Sequence, residues 1–119
     1  GTMKSFLDRA FYVSSANGNL FRHKVGASIV AVRRSGGVTT FDQLNHYLTY
    51  AEMMIPTTNY WNVVHGALPG EVKEDLEGQQ IARLLGKNMA WSLKLNQLAK
   101  EQNLIAPERE AKVRTNFVR

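Results

Sequence analysis

The chain has 119 residues, no cysteine and a formal net charge of +5 at pH 7. This length suits one small domain, and the absence of cysteine excludes disulfides and thiolate metal sites within it. No apolar run approaches the roughly 20 residues of a membrane span and no secretory signal pattern is present, so the sequence predicts a soluble, cytoplasmic protein.

The first predicted element is an amphipathic helix. Its apolar residues recur three or four positions apart and share one face; they are Met3, Phe6, Leu7, Ala10 and Phe11. An Asn- and Gly-rich turn at residues 14–20 ends it. Residues 25–32 then form a nearly unbroken run of small and β-branched apolar types, which predicts a parallel strand buried on both faces.

A second helix is predicted after the Ser-Gly-Gly turn at residues 35–37. Thr40 and Gln43 have the spacing of a capping box, and Pro56 sets the expected end of the helix. The apolar residues that keep its period are Phe41, Leu44, Leu48, Ala51 and Ile55. Residues 59–66, rich in aromatic and β-branched types, predict a second strand.

The last predicted helix carries two apolar stripes. Acidic residues gather ahead of it, where they complement its positive end; they are Glu71, Glu74, Asp75 and Glu77. Small residues at every fourth position predict close packing on the sheet; they are Gly78, Ala82 and Gly86. A second stripe of larger residues predicts contact with another subunit; it consists of Leu84, Trp91, Leu95 and Leu98.

The charged end of the chain, from about Leu104, allows either a solvated tail or an arm that packs on a partner. Pro107 is placed to begin a short helix there. The overall order of helix, strand, helix, strand, helix predicts the α/β class. Because two parallel strands cannot form a sheet buried on both faces, we expect the chain to belong to a larger doubly wound sheet or to complete its sheet by association.

Candidate ligand-binding residues follow the two predicted strands. In open α/β sheets, ligands bind outside the carboxyl ends of the strands, which here are residues 33–40 and 65–70. Arg33 and Arg34 can bond a phosphate or a ring carbonyl, or simply cap the strand end. His65 can face a bound ring or be structural. The spacing alone leaves the glycine turn open between a ligand cradle and an ordinary connector.

Other chemistries find little support in the sequence. His23, His46 and His65 lack the spacing of metal ligands, so no metal site is predicted. Tyr60 and Trp61 are interpreted as core or interface residues. Ser35 precedes a helix as a hydrolase nucleophile does, but the flanking glycine pattern is absent, which disfavours hydrolysis. Lys and Arg are interleaved with acids, which disfavours nucleic acid and favours a small anionic ligand.

Four blocks in order carry a family resemblance: GTMKSFLDRAFY, HKVGASIVAVRRSGGVTTFDQLNHYL, MMIPTTNYWNVVHGALPGEV and GQQIARLLGKNMAWSLK. Together they resemble the C-terminal half of a flavodoxin-like NADPH-dependent FMN reductase, in the group that includes the iron-sulfur flavoproteins. The resemblance implies a five-stranded parallel sheet with residues 25–32 as its fourth strand and 59–64 as its fifth. It also implies FMN as cofactor, NADPH or NADH as electron donor, and a homo-oligomer.

On this resemblance, the turn after the fourth strand borders the isoalloxazine ring and the end of the fifth strand lies beside it. The implied cofactor-binding residues are Arg33, Arg34, Ser35, Gly36, Gly37, His65 and Gly66. Residues 1–94 would form the C-terminal half of the flavodoxin-like domain, and 95–119 a helical extension or arm. The family's phosphate-binding loop would precede Gly1, so the chain would lack most phosphate contacts.

Three hypotheses result. The first is an FMN-dependent oxidoreductase, in which this chain positions the flavin and the cofactor does the chemistry. The second is a non-enzymatic, truncated flavodoxin-like fragment that acts as an oligomerisation module. The third and weakest is a basic nucleic-acid binder, whose affinity would fall steeply with salt.

Overall fold

The computed structural model describes residues 1–118. The chain forms helix α1 (Thr2–Ala16), strand β1 (Val30–Val32), helix α2 (Gly37–Tyr50), strand β2 (Val63–His65), a 3₁₀ turn (Glu71–Lys73) and helix α3 (Leu76–Glu101). The predicted α/β order of helices and strands is therefore confirmed. None of the helices in this described part of the chain is long and apolar enough to cross a membrane.

The two strands are parallel and pair Val30 with Val63, Ala31 with Val64, and Val32 with His65. Side chains alternate between the faces of a strand. α2 packs on the face of Val63, and α3 packs on the face of Val64. The sheet is thus covered by a helix on each side, as in a doubly wound fold.

The edges of the sheet differ in their hydrogen bonding. At the outer edge of β2, the N–H of Val63 donates to the carbonyl of Trp61 and the N–H of His65 donates to Asp75 Oδ2, both at 2.7 Å. In a parallel pair, every second residue of a strand bonds to its neighbour. Val30 and Val32 bond to β2, so the N–H and C=O of Ala31 point away from it and bond to no other described residue. The outward N–H groups of β2 are therefore occupied within the described residues, whereas the outward N–H of β1, at Ala31, is not.

The core is small and lies where α2 and α3 pack on the sheet and where α1 packs on α2. Its buried apolar residues are Phe11, Ala51, Val63, Ile81 and Leu85. The Phe11 ring joins α1 to its neighbours, with ring centroids 4.9 Å from Phe21 and 5.3 Å from Tyr47. Met3 and Phe6, on the same predicted face of α1, are exposed. The predicted apolar face of α1 is buried only in part.

Both strands are shorter than predicted. Residues 25–32 contain only three strand residues, and Val25 makes an isolated parallel bridge with Met54. The prediction that this strand is buried on both faces is wrong for its middle residue, because Ala31 is exposed. Before β2, the Thr58 hydroxyl lies 2.6 Å from the Tyr60 carbonyl and 2.8 Å from Asn62 Oδ1. These local bonds hold the chain in a turn, so the ladder begins only at Val63.

The second helix starts four residues earlier and ends earlier than predicted. Gly36, in the left-handed conformation, is its N-cap, and the expected capping box at Thr40 is not formed. The Thr40 hydroxyl instead donates to the carbonyl of Gly36 at 2.8 Å. The helix ends at Tyr50, so Ile55 and Pro56 lie beyond it. A glycine at the turn allows the helix to begin before the first good capping side chain.

The small residues of α3 do not all serve the same purpose. Gly78 lies against the sheet, where an added Cβ would be 3.0 Å from Cγ1 of Val64. An added Cβ at Gly86 would meet no atom within 4 Å. The prediction of close packing on the sheet is confirmed for Gly78 and is wrong for Gly86. The larger stripe, apart from half-buried Leu84, is exposed.

The end of the chain is an extended arm, and the predicted helix at Pro107 is absent from residues 102–118. The Arg22 guanidinium holds the arm by donating to the carbonyls of Pro107 at 2.9 Å and Glu108 at 3.3 Å. Arg22 also pairs with Glu52 at 2.6 Å. α3 runs continuously through residue 94 to Glu101, and the last residue of the predicted extension, Arg119, lies outside the described residues.

Candidate functional site

A cleft of about 220 Å³ lies between the turn after β1, the outer edge of β2 and the first turn of α3. It collects five of the seven residues proposed from the sequence: Arg34, Ser35, Gly36, Gly37 and His65. Arg33 and Gly66 do not line it. Gly66 instead packs beside the 3₁₀ turn, where an added Cβ would be 3.0 Å from the backbone nitrogen of Val72.

The turn after β1 forms an electropositive wall of this cleft. Gly36 has a φ of +83°, a conformation that glycine adopts without steric cost. Gly37 follows, buried against Val63 and Val32. No side chain caps α2, so the first N–H groups of the helix, at Gly37, Val38 and Thr39 in the cleft wall, keep their donor capacity. Together with the Arg34 guanidinium they favour an electron-rich ligand.

The opposite wall is organised by Asp75, the N-cap of α3. Its Oδ1 accepts from the N–H of Gly78 at 2.9 Å, and its Oδ2 accepts from the N–H of His65 at 2.7 Å. These two backbone bonds lower the pKa of the Asp75 carboxyl below its ordinary value, so it is ionised at neutral pH. Glu77 adds a second carboxylate in the first turn of α3. Asp75 thus ties α3 to β2 and places negative charge in the cleft.

His65 lies between the two charged walls. Its Nδ1 is 3.6 Å from Asp75 Oδ2, beyond hydrogen-bond distance but close enough for an ion pair when the imidazole is protonated. About half of the His65 side chain is exposed. The sequence placed this residue correctly at the strand end, but it did not indicate that Asp75, ten residues further on, lies beside it.

The third wall consists of Tyr60 and Trp61, which the sequence interpretation assigned to the core or an interface. Both line the cleft, with exposures of 59% and 51%. Their ring centroids are 5.5 Å apart and the rings are inclined by 40°. The assignment to the core is wrong. Thr58 and Asn59 were the available signal, because both residue types favour turns and stand directly before the two aromatic residues.

The donor set and the volume of the cleft can be tested against a flavin. Small-molecule sites usually enclose about 300–1,000 Å³, so a cleft of about 220 Å³ admits part of such a ligand. Backbone N–H groups and the Arg34 guanidinium match the acceptor-rich edge of an isoalloxazine ring. The residues fit the edge of the ring, while the ribityl phosphate needs contacts outside this cleft.

Comparison with known proteins then identifies the family. The family model for NADPH-dependent FMN reductase matches residues 1–68, more than half of the chain. The chain belongs to this family. An iron-sulfur flavoprotein of Methanocaldococcus jannaschii is 35% identical over 81 residues, which cover 62% of this chain and 42% of that protein. No solved structure matches the chain significantly.

The FMN reductase match includes both strands, the turn from Arg34 to Gly37 and the Tyr60–Trp61 wall, whereas Asp75 and Glu77 lie beyond it. The chain spans less than half the length of the iron-sulfur flavoprotein. It contains no cysteine to ligate a cluster. Within residues 1–118, no three His, Asp or Glu side chains gather closely enough to hold a metal ion.

Proposed function

We propose that this chain forms one part of the flavin site of an NAD(P)H-dependent FMN reductase. The observation that carries this proposal is the turn Arg34–Gly37 at the carboxyl end of a parallel strand, followed by a helix N-terminus without a side-chain cap. Membership of the FMN reductase family makes FMN the ligand of choice for these donors. The bound flavin supplies the redox chemistry, as cofactors do in such enzymes.

The chain's own residues bind and orient the ring. Backbone N–H groups of the turn and the Arg34 guanidinium hold its acceptor edge and favour the form that carries negative charge. Gly36, which has no side chain, lets the ring approach the backbone closely, and Ser35 borders the ring beside it. Gly66 and Arg33 remain proposed neighbours of the cofactor, outside the cleft itself. No side-chain acid or base is needed for these roles.

We further propose that the sheet continues beyond β1, as the C-terminal part of a flavodoxin-like domain. The unpaired backbone of Ala31 and the occupied outward N–H groups of β2 support this direction of growth, since β2 then remains an edge strand. The relative's greater length supports it too. In this proposal residues 1–94 belong to the flavodoxin-like unit, residues 95–119 extend from it, and the FMN phosphate is held by segments of the whole protein.

Substitution of Arg34 tests the flavin site. In the full-length protein, Arg34→Ala should weaken FMN binding about tenfold, because a charge-assisted hydrogen bond to the ring is lost. Binding is measured by titration, from the visible absorption of the flavin and the quenching of its fluorescence. Arg83→Ala is the matched control, since this arginine is exposed on α3 and does not line the cleft. A wild-type protein that takes up no FMN, or equal affinity in both variants, would contradict the proposal.

A second candidate function is self-association through α3, in an enzyme or in a non-enzymatic module. It is favoured by the exposure of Trp91 (64%), Leu95 (44%) and Leu98 (53%) on one stripe of the helix. Changing Trp91 and Leu95 together to glutamate should convert an oligomer into monomers in sedimentation velocity, because charges would be buried at the interface. Lys94→Glu, on an exposed neighbouring position, is the control. An unchanged sedimentation coefficient in the double variant would refute this role.

A further inference from the structure

We infer that the Tyr60–Trp61 wall of the cleft binds the nicotinamide ring of the electron donor, and that the adjacent carboxylates favour this ring in its oxidised, cationic form. The inference rests on the proposed function and adds a binding place for the second substrate. It assigns the positive wall of the cleft, at Arg34, to the flavin and the negative wall, at Asp75 and Glu77, to the nicotinamide ring.

The aromatic wall suits a planar ligand that binds and leaves. Tyr60 and Trp61 are adjacent in sequence, line the same cleft and leave more than half of their surface exposed. A resident cofactor typically has most of its surface buried, whereas a half-open wall admits a ligand that exchanges in every cycle. Aromatic faces also attract organic cations, and indole does so most strongly.

The charges of the cleft are separated. Arg34 and the N-terminal N–H groups of α2 lie on the side of the glycine turn, and Asp75 and Glu77 lie on the side of α3. The Asp75 carboxylate is fixed by its two backbone donors. Glu77 makes no salt bridge within residues 1–118, so its charge is available to a ligand. One wall therefore favours a developing anion and the other a developing cation.

Hydride transfer produces this pattern of charge. A bound flavin would accept a hydride, one proton with two electrons, from C4 of a neutral dihydronicotinamide ring: one C–H bond of the donor would break and one N–H bond of the acceptor would form. The donor ring would be left as a pyridinium cation, and the neutral acceptor would gain a negative charge. Both charges develop in the transition state, so fixed charges of the opposite sign stabilise it more than the neutral reactants.

The experiment uses two small probes that differ in charge, 1-methylnicotinamide (a cation) and nicotinamide (neutral). The full-length protein is labelled with 5-fluorotryptophan, and the fluorine resonances of Trp61 and Trp91 are assigned with Trp61→Phe and Trp91→Phe. We expect 1-methylnicotinamide to shift the Trp61 resonance and to bind about fivefold more tightly than nicotinamide. Trp91, exposed on α3 and absent from the cleft lining, should not respond.

Glu77→Gln should weaken binding of 1-methylnicotinamide roughly fivefold and leave nicotinamide unchanged, because only the cation loses a Coulombic partner. Glu74→Gln is the matched control, an exposed acid in the same segment that does not line the cleft. A Trp61 resonance that stays fixed at saturating probe, or equal effects of the two Gln variants, would overturn the inference.

FMN binding by the same preparation is measured separately from its visible spectrum, so that the two ideas are tested apart. If the protein binds FMN but the Trp61 resonance shifts with neither probe, the inference is overturned and the proposed function is not. A protein that binds no FMN overturns the proposed function, and the inference with it.

Discussion

Replacing Asp75 with alanine is expected to lower the free energy of unfolding by about 2 to 3 kcal/mol, the sum of a lost helix cap and a lost bond to the edge of β2. One carboxylate serves both contacts, to the N–H of Gly78 and to the N–H of His65. Its side chain is only 16% exposed, so water replaces these bonds incompletely. The measurement is urea unfolding followed by circular dichroism, with Glu74→Ala as the control.

The same contacts predict a pH dependence with a definite sign. The pKa of Asp75 is lower in the folded chain than its ordinary value of 3.8, because the bonds from Gly78 and His65 favour the carboxylate. The unfolded chain therefore binds the proton more readily, so the stabilisation is fully present above pH 3.8 and is lost as the pH falls through the folded pKa. The difference in stability between wild type and Asp75→Asn should shrink below pH 3.8. A constant difference would contradict this account.

The order of the elements was predictable because each has a strong local pattern. The period of α3 and its acidic lead-in are properties of neighbouring residues, and the structure confirms both. Boundaries were less predictable, because they depend on contacts between distant segments. α2 begins at Gly37 since this glycine packs closely against Val63, a residue 26 positions later. The residues around Gly37 do not predict that contact.

The site shows the same division between local and distant information. The glycine turn and His65 were predicted, because both follow apolar strands and strand ends are where α/β proteins bind ligands. Asp75 was recognised only as a helix-end charge, since its bond to His65 depends on the path of the intervening loop. The core interpretation of Tyr60 and Trp61 was wrong, because β-propensity predicted a strand here without the Thr58 bonds that hold these residues in a turn, and the interface interpretation stays a prediction.

Gly37→Ala is expected to lower the free energy of unfolding by about 2 kcal/mol through overpacking. A Cβ at this position would lie 2.6 Å from Cγ1 of Val63 and 3.2 Å from Cγ1 of Val32. Gly37 does not have a positive φ, so the backbone conformation itself suits alanine and steric crowding is the cause. Chemical denaturation of the full-length protein provides the measurement.

Gly86→Ala is the matched control, because an added Cβ there meets open space and alanine favours the interior of a helix by about 1 kcal/mol over glycine. The two Gly-to-Ala changes should therefore have opposite signs. Gly37→Ala should also weaken FMN binding, since α2 must move away from Val63 and shift the N–H groups of the turn with it. If Gly37→Ala is as stable as wild type and binds FMN with unchanged affinity, the turn can move without a loss of folding free energy. Close packing of α2 on β2 would then not hold the flavin-binding wall in place.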